Sequence, residues 1–129
     1  DVVQDTFEKF WVRAENVSYE KARAYIFSTA YHTMIDTIRK EKRTKPLDDV
    51  DFDQHSYTQT YRGLHDVLEQ ALKKLPDIQR SVLLLRDYEG YAYHEIGEIT
   101  GLNESQVKVY IYRARVTMKK YIGNLEAVL

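Results

Sequence analysis

The sequence predicts an all-α protein, and three observations carry the prediction. Breakers are scarce, with 5 Gly and 2 Pro among 129 residues. Apolar residues recur every three to four positions along most of the chain, the period of a helix buried on one side. Alternating runs of β-branched residues, the mark of half-buried strands, are few. Composition narrows the class further. Hydrophobic residues make up 43% of the chain, which suits a packed interior rather than a disordered segment. A net charge of −1 argues against a uniformly basic, histone-like binder and leaves local patches open. The absence of Cys excludes a disulfide scaffold, a Cys-ligated zinc finger and a thiol nucleophile, and fits a reducing, cytoplasmic setting. No apolar run approaches the ~20 residues that a membrane span needs, and no signal peptide opens the chain, so direct membrane insertion is not expected.

The elements follow in order. Val3, Phe7, Phe10, Trp11 and Ala14 share one face of a first helix, with Asp1, Gln4, Asp5 and Glu8 largely on the other. Asn16 and Ser18 break that pattern. Ser18 is placed to cap a long second helix from about Tyr19 to Arg43, with Lys21 where a capping box would need Glu. Ala22, Ile26, Ala30, Met34 and Ile38 mark its apolar stripe, and it ends in Arg39, Lys40, Lys42 and Arg43. Residues 44–63 carry four Asp, Pro46 and Gly63 without a helical stripe, and read as an acidic linker. Two small modules, 1–43 and 64–129, flank it. In the second, Leu64, Val67, Leu68, Ala71, Leu72 and Leu75 form a stripe that Pro76 ends. Ile78, Val82, Leu83 and Leu85 carry the next helix to Asp87, and Glu89-Gly90 closes it. A short helix spans roughly Ala92 to Thr100. Gly101 stands where a left-handed cap belongs, and Asn103 caps a last helix running to about Leu125.

The window from Ala92 to Arg113 has the sizes and spacings of a helix-turn-helix. Ile96 is its inward anchor, Gly97 leaves room for close approach, Gly101 makes the turn, Leu102 fills behind it, and Val107 and Tyr110 face inward. The bland alternative is a plain helical hairpin in a core. Against it stands charge: residues 103–122 hold Lys108, Arg113, Arg115, Lys119 and Lys120 with Glu104 as the one acid, a phosphate-binding footprint inside a nearly neutral chain. The second helix would then lie in the major groove, presenting Asn103, Glu104, Ser105, Gln106, Lys108, Val109, Tyr112, Arg113 and Arg115. Gln106 suits adenine, Lys108 guanine or phosphate, and Glu104 the amino group of cytosine. The four His show no metal-ligand spacing, and the Asp cluster 48–53 lacks the Gly and terminal Glu of a calcium loop. No nucleophile motif or phosphate loop is present. The expectation is a binding protein, not an enzyme, with no metal, no cofactor and no small-molecule substrate. Two classes stay open on this evidence: a stand-alone regulator binding duplex operators, and a helical module that binds only protein.

Three blocks, DVVQDTFEKFW, AYIFSTAYHTMIDTIRKEKR and LPDIQRSVLLLRDYEGYAYHEIGEITGLNESQVKVYIYRAR, together resemble an extracytoplasmic-function (ECF) sigma factor of bacterial RNA polymerase. The first two resemble its region 2 and the third its region 4. The resemblance implies that core RNA polymerase and promoter DNA are the partners, with an anti-sigma factor as a further one. It implies that Asp1, Gln4, Asp5 and Glu8 grip the clamp helices of the polymerase. It implies that Asn16, Ser18 and Tyr19, together with the second helix, hold the melted −10 element. There Tyr25, Phe27, Tyr31 and His32 would supply stacking, and Arg39, Lys40, Lys42 and Arg43 a basic track. The recognition helix would read the −35 element as duplex, and the acidic linker would follow the RNA-exit path. His32 stands where the family usually has Asn, Ala92 where it often has a capping Ser, and Val109-Tyr110 where Ser-Arg is common. The chain also begins inside region 2, without the helices that normally precede it in the family, and a region 2 lacking those helices is expected to have an exposed apolar face.

Overall fold

A computed structural model describes residues 1–44 and 63–128. Apart from its two ends, the linker expected over 44–63 lies outside the described residues. Those residues form six α-helices, with no strand among them. The chain divides into two compact units. The first is built on α1 (Val2–Arg13) and α2 (Tyr19–Thr44) and takes in Glu98–Gly101; the second is built on α3 (Leu64–Lys73), α4 (Asp77–Leu83), Tyr93–Gly97 of α5 (Tyr93–Thr100), and α6 (Glu104–Val128).

In the first unit Asp1 caps α1, its Oδ1 accepting from the Val3 amide at 2.9 Å. A 3-10 turn, Ala14–Asn16, ends the helix and leads through Val17 and Ser18 into α2. The two helices pack along one seam. The seam differs from the expected stripe by one residue. Val2, Thr6, Phe10 and Ala14 form the covered ridge, whereas Val3, Phe7 and Trp11 are exposed by 62%, 55% and 80%. Val3, Phe7 and Trp11 thus form an exposed apolar face, and the ridge that α2 covers lies one residue earlier than the spacing predicts. One residue turns a helix by about 100°, so a broad apolar arc offers several ridges and one partner covers one of them. A threonine can sit on that ridge because its hydroxyl donates to the Val2 carbonyl at 2.6 Å. Phe10 meets Tyr25 of α2 with ring centroids 5.9 Å apart, and Lys9 Nζ donates to Thr33 Oγ1 at 3.0 Å.

In the second unit Ala71, Leu75, Val82, Leu83, Leu85, Ile96, Val107, Ile111 and Ala114 are buried, and α6 packs on α4 and α3. Pro76 serves as the N-cap of α4, one place before the first-turn position its ring favours. Arg80 stitches the α3–α4 corner. Its guanidinium donates to the Leu72 and Leu75 carbonyls at 3.4 and 3.3 Å, the first of which also accepts from the Leu75 amide at 3.1 Å, and pairs with Asp77. Leu64 is 70% exposed, so the predicted α3 stripe is buried only toward its C-terminal end.

The expected helix over 78–87 differs in kind. It is α-helical to Leu83 and then widens into a π-helical turn, Leu84–Tyr88. The Glu89 amide donates to the Leu84 carbonyl at 3.0 Å, five residues back. Gly90, at φ +83°, closes it, and the Tyr91 amide reaches the Leu85 carbonyl at 3.0 Å, one residue wider than a Schellman close.

Candidate nucleic-acid interface

Two surfaces collect the residues that the sequence singles out, one in each unit.

The turn between α5 and α6 is as tight as its residue sizes require. A Cβ added at Gly97 would lie 2.9 Å from the Leu102 carbonyl, and Gly101 takes φ +83°. The close approach at Gly97 is thus made by the carbonyl of the turn. α6 begins with a full capping box. Asn103 Oδ1 accepts from the Gln106 amide at 2.8 Å, and Gln106 Oε1 accepts from the Asn103 amide at 3.0 Å. α5 begins with half a box: Glu95 accepts from the Ala92 amide at 2.8 Å, but Ala92 has no oxygen to return the bond.

Behind the helix, Val107, Ile111 and Ala114 form the buried ridge at i, i+4, i+7. Tyr110, expected to face inward, is half-buried, because Ile111 takes the central position. On the outer side Asn103, Glu104, Ser105, Gln106, Lys108, Val109, Tyr112, Arg113 and Arg115 are all exposed. They are not equally available. Gln106 has its carbonyl oxygen engaged in the cap and only its NH2 group to offer. Lys108 lies 3.5 Å from Glu104, and its ammonium stands 5.5 Å from the Tyr93 ring centre. A second cation, Arg86, lies over that ring at 4.2 Å. Arg115 donates twice to Asp87, at 2.6 and 3.2 Å. That hydrogen bonding, opposed by slight burial and helped by the Asp87 charge, raises the guanidinium further above its ordinary range. The raised value adds stability at every pH below that range and loses it only in strong alkali. Nothing in the sequence pattern marks Arg86, Asp87 or Tyr93 for this cluster. Their partners are distant in sequence, and no local period announces them.

In the first unit, a cleft of about 440 Å³ opens between α1 and α2, lined by Lys9, Arg13, Tyr25, Ser28, Thr29, His32, Thr33 and Asp36. It takes in Tyr25 and His32, and adds Lys9 and Arg13, which no sequence motif marks. His32 Nδ1 sits 2.8 Å from the Ser28 carbonyl. A carbonyl only accepts, so Nδ1 is the donor of this pair and Nε2 is the other polar atom of the ring. Arg39, Lys40 and Arg43 fall on the same face of α2 as Tyr25, His32 and Asp36, by the 3.6-residue period. The face from Tyr25 to Arg43 is about 27 Å long at 1.5 Å per residue. Asn16, Ser18 and Tyr19 are exposed but do not line the cleft; Tyr19 is 94% exposed. Tyr31 is buried, its ring edge-on to His32 at 5.3 Å, which corrects its assignment as a stacking face. Phe27 is half-buried, with the Arg23 guanidinium 5.9 Å from its ring. Asp1 is engaged as the α1 cap, while Gln4, Asp5 and Glu8 are exposed. Among the described residues no helix is long and apolar enough to cross a membrane.

Comparison with known proteins matches both parts of the chain. Sigma-70 region 2 matches residues 1–44, and sigma-70 region 4 matches residues 65–118. RNA polymerase sigma factor YlaC of Bacillus subtilis is 30% identical, over 93% of this chain and 75% of its own length. SigV of the same organism is 31% identical, over 92% and 72%. More distant matches bear the name ECF RNA polymerase sigma factor, among them SigM of Bacillus subtilis at 25%. A solved structure of the sigma factor RpoE with the anti-sigma factor NepR, from Bartonella quintana, superposes with a TM-score of 0.75 at 23% identity, over 95% of this chain and 79% of that one.

Proposed function

This chain belongs to the ECF sigma factors of RNA polymerase, and from that membership we propose how its two surfaces divide the work of promoter recognition. It is a transcription-initiation factor whose partners are core RNA polymerase and promoter DNA. Residues 64–129 act as the duplex reader, 1–43 as the module that takes melted strand and polymerase, and 44–63 as the tether, following the RNA-exit path. The observation that carries the reading is α6: an apolar ridge of Val107, Ile111 and Ala114 seated inward, with Lys108, Arg113, Lys119 and Lys120 outward.

That helix lies in the major groove of the −35 element. Ser105, Lys108, Val109 and Tyr112 meet base edges, with Glu104 and the amide NH2 of Gln106 beside them. Arg113 and the later lysines meet phosphate. The α1–α2 cleft receives an unstacked nucleotide of the melted −10 element. A nucleobase has a flat face for Tyr25, and its edge can hydrogen-bond His32 Nε2. The backbone phosphates meet Lys9 and Arg13, then Arg39, Lys40, Lys42 and Arg43 along α2. Asn16, Ser18 and Tyr19 border that path. Gln4, Asp5 and Glu8 form the polar face toward the polymerase clamp, with Asp1 at its edge. Each contact set is weak alone, and tethering through the linker and polymerase raises their joint affinity. The work is binding rather than bond chemistry, and it is done in the cytoplasm. The likeness to a sigma factor captured with its anti-sigma factor supports a similar inhibitor here.

Run-off transcription with core polymerase and a promoter library tests the reading. Transcripts that start at promoters sharing one −35 and one −10 sequence are expected. Duplex binding by the chain without retention on core polymerase would instead favour a stand-alone regulator.

A further inference from the structure

Arg115 sits on the recognition helix and looks from sequence like one more phosphate contact. Its surroundings give it different work. Both arms of a bidentate pair are made, with Nη2 to Oδ1 at 2.6 Å and Nε to Oδ2 at 3.2 Å, so its charge is already matched by Asp87. Asp87 lies 28 residues away, inside the π-helical turn after α4. A π-turn inserts a residue into the helical ladder and re-aims the side chains beyond it. Here the re-aimed side chains are Arg86, whose guanidinium donates to the Tyr91 carbonyl at 3.0 Å and covers Tyr93, and Asp87, which takes Arg115. The end of α4, the start of α5 and the middle of α6 therefore meet at one cluster.

We propose that Arg115 is a positioning residue for promoter recognition: paired with Asp87, it fixes α6 to the π-turn and so sets the angle at which the recognition face enters the groove, without itself contacting phosphate. This rests on the duplex reading of α6. It separates two cations that the sequence treats alike. Arg113 makes no ion pair among the described residues and stays free for DNA.

The test uses the full chain bound to core polymerase, with a −35 duplex selected from a promoter library and a scrambled duplex. Affinity is measured across salt well below the melting temperature of each variant, and helicity is checked by circular dichroism. Wild type should prefer the selected duplex, and Arg113→Ala should lower the slope of log affinity against log salt by about 0.9. Those two results stand or fall with the duplex reading, whatever Arg115 does. Arg115→Ala and Asp87→Arg should each weaken the selected duplex about tenfold with the salt slope unchanged. Combining Asp87→Arg with Arg115→Asp, which rebuilds the pair with its charges exchanged, should restore affinity to within about twofold. A purely stabilising pair would lower the melting temperature of Arg115→Ala and leave its affinity intact, and that outcome overturns the proposal. So would a slope lowered as in Arg113→Ala, with no rescue by the exchanged pair. Loss of sequence preference in the wild-type complex would overturn the duplex reading and the proposal together.

Discussion

The two units solve the same problem differently. In the second, α6 turns its apolar ridge fully inward, and it starts from a capping box just after a positive-φ glycine. Its outward face is left to polar chemistry. In the first, α1 buries a threonine and exposes Val3, Phe7 and Trp11, and the polar groups gather in a cleft along the seam. Four helices can enclose a core, whereas two share only one seam. A duplex reader needs a rigid convex face, which an enclosed core supports. A pocket for a flipped base needs concavity with polar walls, which a two-helix seam supplies.

Core deletions give the sharpest contrast. Ile111→Ala should cost about 2–5 kcal/mol of the second unit's stability, and Phe7→Ala within about 0.5 kcal/mol, both read by urea unfolding of the full chain. Equal costs would mean that the exposed stripe is buried in solution. Next comes the turn. Gly97→Ala drives a methyl group against the Leu102 carbonyl and should cost about 1–3 kcal/mol in the same assay, with DNA affinity falling alongside. The third prediction separates cap from reader. Gln106→Glu keeps the acceptor of the capping box and removes the NH2 group. It should leave stability nearly unchanged while costing about 1–3 kcal/mol of preference for the selected −35 duplex. Gln106→Ala should lose both. If Gln106→Glu keeps full preference, Gln106 is a cap and nothing more. The smallest effect is a gain: Ala92→Ser completes the half-made box at α5 and should add about 1 kcal/mol to the thermal or urea stability.

Much of this was legible in the chain. The α2 boundaries, the glycine turn and the inward Ile96 and Val107 follow from spacing and residue size, which are local signals. The capping box was also visible, as Asn103 with Gln three residues later, but Gln106 had been given to the groove. Three features were not readable. A π-turn leaves nearly the same apolar pattern as an α-turn over five residues. The one-residue offset of the α1 seam depends on which ridge its partner covers. Asp87 with Arg115, and Tyr93 with Arg86 and Lys108, exist only once the chain has folded back. In the first unit the cleft brought Lys9 and Arg13 of α1 to the same place as Tyr25 and His32, and no sequence period links the two helices.

The most direct measurement uses the absence of cysteine. A cleavage reagent tethered at Val109→Cys, in the complex with core polymerase, reports where the outer face of α6 rests on promoter DNA. Cuts centred on the −35 element, in the major groove, are the expected pattern. Cuts confined to the −10 region, or none above those of the unlabelled complex, would contradict a duplex-reading α6.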